Sequence, residues 1–314
     1  MQLAPIALFT YKKIKPLQAT IEALQRNLHA SGSELIIFSD AAKTQDDERT
    51  VAEVRAYLRS IEGFKDIRII ESKINKGLAN SIIEGVTQVI NTYGKVIVLE
   101  DDLITSMNFL AFMNQCLEQY QKTENVFSVS GYSLPLSQQL RTDIYFTKRG
   151  SSWGWATWKD RWERVDWSVS DYDQFRNDPN KIKKFNQMGS DMSSMLERQM
   201  QGKMDSWAIR WCYHQFKEQT YTVFPTISKI RNIGFGDEAT HTFDYFNRYD
   251  TTLDTTRQMQ FEMIEPYLDS RVIREFTDMY SLTTRVKYKM LNSIGYLMVK
   301  FFKAVHYLRK SSSV

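Results

Sequence analysis

Hydrophobic and polar positions alternate in blocks from Pro5 to Gly131, and the period of the pattern changes from block to block. Pro5 to Tyr11 and Glu34 to Asp40 are short, mostly apolar runs with the length and β-branched content of buried strands. Between them, Pro16 to His29 carries apolar residues at helical spacing, and a second such stretch spans Gln45 to Ile61. Ile67 to Glu71 reads as a strand. Gly77 to Asn91 reads as a helix with Leu78, Ile82, Val86, Val89 and Ile90 on one side. Another strand starts at Lys95, and a helix follows over about Met107 to Gln121, with Thr105 or Ser106 available to cap it. Val126 to Ser130 is a further strand, ended by Gly131. Strand and helix in alternation predict an α/β fold with a mostly parallel sheet, helices on both faces and right-handed crossovers. There is no internal repeat and no low-complexity linker, so the second half is expected to pack onto this sheet.

Composition narrows the class. The chain has 314 residues, of which 42% are hydrophobic and 25% charged, an ordinary globular balance that excludes disorder. A net charge of +4 is mild for this length and implies no nucleic-acid groove. The 2 cysteines, Cys116 and Cys212, form neither a disulfide framework nor a CxxC pair, which suits a reducing compartment. With no secretion signal pattern and no span-length apolar run, the expected location is the cytoplasm.

Chemistry concentrates where the strand from Lys95 runs into Glu100, Asp101 and Asp102. Three consecutive carboxylates repel one another unless water, donors or a cation compensate. Open α/β sheets place ligands at the carboxyl ends of their strands, where a hard divalent cation is the natural partner for such a triplet. The alternative is a solvated acidic strand end.

All 7 tryptophans fall between Trp153 and Trp211. Indole faces stack on sugar rings, and indole N–H groups bond hydroxyls. Trp158, Trp162 and Trp211 lie at helical spacing and read as core. Trp153, Gly154 and Trp155 lie where a polar stretch meets the next helix, so a ligand-facing role stands beside simple packing there.

These pieces resemble the GT-A fold of nucleotide-sugar-dependent glycosyltransferases, a Rossmann-like α/β sandwich. The residues that carry the likeness are Asn75-Lys76-Gly77-Leu78-Ala79-Asn80-Ser81, then Leu99-Glu100-Asp101-Asp102-Leu103. The triplet is similar to the aspartate-any-aspartate motif of the N-acetylglucosaminyltransferase I family. Ser152-Trp153-Gly154-Trp155, Asp205-Ser206-Trp207 and Arg231-Asn232-Ile233-Gly234-Phe235-Gly236 before His241 continue the likeness in order. Length and the lack of an anchor look more like bacterial polysaccharide glycosyltransferases than Golgi enzymes.

The resemblance implies a metal-dependent transfer from a nucleotide sugar, of the UDP type, to a glycan or lipid-linked glycan acceptor. Asp102 would coordinate Mn2+ or Mg2+ held by the donor diphosphate, while Glu100 and Asp101 would contact donor sugar and ribose. Asp40 matches the acid that recognises the base, or is a turn or N-cap aspartate. Asn75 belongs to the donor side. Lys12 would meet a phosphate or stay solvated. Gly234 to His241 resembles a loop that closes over donor. Trp153, Gly154, Trp155 and Trp207 would line the acceptor side. Asp205 matches the base of an inverting displacement, with Ser206 departing from relatives that carry a second acid; it would also suit as a cap for the helix from Trp207 to Phe216.

The division expected is a transferase domain over 1–245, its nucleotide-sugar half 1–132 and its acceptor half 133–245, then a helical region over 246–314. After Asp278 there is no acid, while seven Lys or Arg residues alternate with large apolar ones. Such a helix either lies on an anionic membrane surface, attaching the protein to the inner face of the cell membrane, or docks on the body. A sugar-nucleotide pyrophosphorylase would share the α/β core and metal, but its glycine-rich, arginine-containing loop is absent after the first strand. A non-catalytic carbohydrate-binding protein would use the tryptophans without the acids.

Overall fold

The computed structural model describes residues 2–137, 140–234 and 247–311, the stretch 297–311 as backbone alone. In chain order β1 (Ile6–Thr10), α1 (Ile14–Gln25), β2 (Glu34–Ser39), α2 (Gln45–Leu58), β3 (Asp66–Glu71), α3 (Leu78–Tyr93) and β4 (Lys95–Glu100) alternate. The short β5 (Leu103–Thr105) and α4 (Phe109–Gln119) precede β6 (Val126–Ser130), β7 (Ile144–Thr147) and β8 (Trp155–Trp158). Helices α5 (Lys159–Trp162), α6 (Tyr172–Arg176), α7 (Pro179–Phe185), α8 (Met192–Met200) and α9 (Trp207–Glu218) lead to β9 (Tyr221–Pro225) and β10 (Ile230–Asn232). The chain closes with α10 (Ser270–Met279) and α11 (Leu282–Ser311).

Eight strands form one sheet in the order β3-β2-β1-β4-β8-β6-β9-β7. All but β8 and β7 run the same way. Strand alternation splits the core. Ile6, Leu8, Leu35, Ile37, Ile97 and Leu99 face α1, α2 and α4, while Ala7, Phe9, Ile36, Val96 and Val98 face α3 and the tryptophans. A strand buried on both faces has no polar side to show, which is why β1 and β4 read as continuous apolar runs.

Local details depart from the expected ones in instructive ways. Leu78 is 47% exposed rather than part of the buried α3 stripe, which starts at Ala79. Neither Thr105 nor Ser106 caps α4 through its side chain; Asn27 Oδ1, from the turn after α1, accepts from Leu110 N at 3.0 Å. A cap supplied across the fold leaves no local signal. The stretch Trp155–Trp158 is a strand between β4 and β6, not the start of a helix. The region after 246 packs on the body well before α11: Phe261, Val272 and Phe276 join the main core, and Lys229 forms a buried ion pair with Asp254.

Candidate active site

The parallel register sets Thr10, Ser39, Glu71 and Glu100 at one edge of the sheet, because Phe9 lies beside Glu100 and Thr10 beside Ser39, itself beside Glu71. The loops leaving these strand ends therefore converge there, as ligand loops do in open α/β sheets.

The acid triplet sits at the end of β4, each residue partly buried. Asp101 is held at one oxygen: Thr10 Oγ1 donates to Oδ2 at 2.8 Å and Tyr11 N donates to it at 3.1 Å. Burial, then the neighbouring charge of Asp102, push its carboxyl up to about 6 despite those donors. Glu100 is pushed up to about 8, again by burial first and by Asp102 and Asp101 after it. Burial also raises Asp102, and the positive charge of Lys13 works against that. These are hard oxygen donors whose shared negative charge is under-compensated, the donor chemistry that suits Mg2+ or Mn2+. Among the described residues, no three His, Cys, Asp or Glu side chains converge on one point. A cation at this strand end would therefore take most of its oxygens from outside the chain, as is usual for Mg2+.

A second ribbon closes on this point. β10 pairs antiparallel with β5, and Ile233 N donates to Asp102 O at 2.9 Å. Gly234 N then donates to Asn232 Oδ1 at 2.7 Å. A side chain at 234 would start 2.2 Å from Asp102 Oδ2, so any other residue would have to displace the carboxylate or the backbone. His241 lies outside the described residues.

Asp40 and Asn75 tie two strand-end loops together. The Asp40 carboxylate accepts from Lys76 N at 3.0 Å, Gly77 N at 3.1 Å and Ala41 N at 2.9 Å. Asn75 Nδ2 donates to Ala41 O at 2.8 Å. Asp40 is therefore a turn aspartate that shapes the loop before α3, and it does not cap α2, whose N-cap position is Thr44.

Asp205 reaches the same loop from the other side. Its Oδ2 accepts from Ala79 N at 3.3 Å, in the first turn of α3. The cap of α9 is Ser206, whose Oγ accepts from Ile209 N, so the expectation that Asp205 caps α9 is corrected. The loop that carries it is fixed by Ser206 N, which donates to Gln199 Oε1 at 2.6 Å.

Lys12 is engaged by α2: its Nζ pairs with Asp47 Oδ1 at 2.6 Å, beside the Tyr11 hydroxyl that donates to the same carboxylate. Lys13 is the basic residue whose charge acts on Asp101 and Asp102. The sequence holds both lysines side by side, and only the turn after β1 decides between them.

The four tryptophan-region candidates separate. Trp153 is partly exposed and meets Tyr132 and Tyr249 edge-on, at centroid distances of 4.7 and 5.7 Å. Gly154 has φ +60° and lies against Ile230 and Leu99, where a Cβ would clash. Trp155 and Trp207 are buried and stack on each other at 4.7 Å, within a cluster that includes Trp162 and Trp211. Their expected acceptor role is corrected on that ground: at 1% and 3% exposure both indoles lie in the core, away from any acceptor.

No protein-family profile matches the chain, and no curated protein matches it. Among solved structures it is similar to the mannosyltransferase PcManGT from Pyrobaculum calidifontis in complex with GDP-Man and Mn2+, at 12% identity and TM-score 0.36, covering 53% of this chain and 47% of that one. It is similar to S. aureus TarS 1-349 in complex with UDP, at 10% identity and TM-score 0.31, over 44% of this chain and 38% of that one. Mouse xyloside xylosyltransferase 1, apo form, matches at 11% identity and TM-score 0.35, over 69% of this chain and 82% of that one. The chain spans about half the length of the mannosyltransferase and less of TarS. At these identities and TM-scores the likeness is too distant to carry function.

Proposed function

We propose that this chain is a GT-A glycosyltransferase that moves a hexosyl or N-acetylhexosaminyl group from a nucleotide sugar, UDP-linked by preference, to a glycan or lipid-linked glycan acceptor. The observation that carries the reading is the meeting, at one strand edge, of the acid triplet with Gly234 pressed on Asp102 and the Asp40-pinned loop before α3. Asp102 would hold the cation, which offsets charge on the departing diphosphate when bound. Asp101, whose Oδ2 is anchored by Thr10 and Tyr11, would contact the donor sugar and ribose. Asp205 takes the acceptor hydroxyl proton in a single inverting displacement, and its bond to Ala79 N, beside the loop before α3, supports that reading. Such chemistry suits bacterial surface polysaccharide synthesis on the cytoplasmic side.

A panel of nucleotide sugars tests this. Mn2+- or Mg2+-dependent donor hydrolysis, with transfer of inverted configuration to a glycan acceptor, is the expected result. Undiminished turnover in EDTA, or product of retained configuration, overturns the metal or the inverting step respectively.

A further inference from the structure

Over the part of helix α11 whose side chains are described, 282–296, an apolar row faces away from the described body. Leu282, Val286, Met290 and Ile294 recur every fourth residue, on one face, and each is between 48% and 62% exposed. The sequence continues the spacing at Leu297, Phe301, Val305 and Leu308. From Met279 onward there is no acid, whereas Arg285, Lys287, Lys289, Lys300, Lys303, Arg309 and Lys310 are basic. The helix has 30 residues, and among the described residues no helix is long and apolar enough to cross a membrane.

The foot of this helix is fixed. The Arg149 guanidinium lies 3.7 Å over the Tyr280 ring, and Arg285 Nη1 donates to Ser190 Oγ at 3.2 Å. Tyr280 stands 5.9 Å from Tyr249, which stands 5.7 Å from Trp153. Tyr132 at the same corner donates its hydroxyl to Tyr249 O at 2.8 Å. An aromatic chain thus joins the foot of α11 to the partly exposed corner of the strand-edge site.

We propose that α11 is an interfacial helix that lays its apolar stripe in an anionic lipid surface and holds the Trp153 corner beside that surface. Charge selects the occupant. A second copy would bring another acid-free basic helix against this one and repel it, while anionic headgroups attract every one of its cations. Resting on the transferase reading, one consequence follows: a lipid-borne acceptor would reach the site without leaving the membrane plane.

Sedimentation of the full chain with phosphatidylglycerol–phosphatidylcholine vesicles, against phosphatidylcholine alone, tests the docking. Binding to the anionic vesicles is expected at low salt and should weaken as salt rises. Met290→Asp with Ile294→Asp should weaken it at least about tenfold, and Lys287→Glu with Lys289→Glu about tenfold, with near-UV circular dichroism unchanged. Absence of binding at low salt, or full binding by the Asp pair, overturns the proposal. So does a concentration-dependent dimer that the Asp pair dissolves, which would make a second copy the occupant. Vesicle binding is read without turnover, so it stands or falls separately from the glycosyltransferase reading.

Discussion

Asp205 Oδ2 accepts a hydrogen bond from Ala79 N at 3.3 Å, across 126 positions of sequence. The bond places an exposed carboxylate at the positive end of α3, next to the loop that Asp40 organises. Gly77 makes room for it: its φ is +73°, and a Cβ there would lie 3.0 Å from the same oxygen.

That geometry separates the two jobs open to Asp205. Asparagine keeps an oxygen for Ala79 N–H but cannot take a proton. Asp205→Asn should retain donor affinity and melting temperature while transfer falls by roughly a hundredfold or more. Asp205→Ala should in addition lose about 1 kcal/mol of stability with the cap. Full transfer by the Asn variant would leave Asp205 a cap alone.

Gly234 and Asp102 should behave as one unit. With 2.2 Å between a 234 Cβ and Asp102 Oδ2, Gly234→Ala must displace either the carboxylate or the ribbon. Metal-dependent binding of a nucleoside diphosphate, measured by calorimetry with Mn2+ and with EDTA, should be lost in Asp102→Ala and weakened at least about tenfold in Gly234→Ala. Wild-type affinity in the Gly234→Ala protein would mean the ribbon does not bear on the cation.

Removal of the Asp40 carboxylate strands three backbone N–H groups, those of Ala41, Lys76 and Gly77. Asp40→Ala should cost about 1–3 kcal/mol in urea denaturation, since part-buried donors would lose their partner. Donor binding should weaken along with it, because the loop before α3 loses its brace.

The Arg149–Asp191 pair gives a pH dependence. The two make a forked pair at 2.8 and 3.0 Å, both side chains being 12% exposed. Burial works to raise Asp191, but the hydrogen bonds and charge of Arg149 outweigh it and hold the carboxyl below its usual range. A folded value below the unfolded one means stability that is present above about pH 4 and lost as pH falls toward the lower folded value. Asp191→Asn should cost about 3–5 kcal/mol at neutral pH by leaving Arg149 buried and unpaired. Its stability should also vary less with pH below about 4 than that of the wild type, as followed by chemical denaturation at several pH values.

Sequence by itself determined the alternation of elements up to β6 and the place of the acid triplet. Those signals are local: an apolar run buried on both faces, a stripe at helical spacing, and charge that interrupts a strand at its end. Val126–Ser130 matches its expected bounds for that reason, and β1 to β4 fall within a residue of theirs. Tertiary structure decided what depends on a partner distant in sequence. Trp153 and Trp155 are two residues apart and equally aromatic, yet β8 pairing between β4 and β6 turns one into the core and leaves the other partly exposed at the edge. Lys12 and Lys13 are told apart by the turn after β1, which gives Lys12 to Asp47 on α2, and the side-chain cap of α4 comes from Asn27, before β2. Asp205 meets α3 only because α9 packs beside it. A hydrogen bond or ion pair forms between groups that folding brings within about 3 Å, and no local period records that meeting.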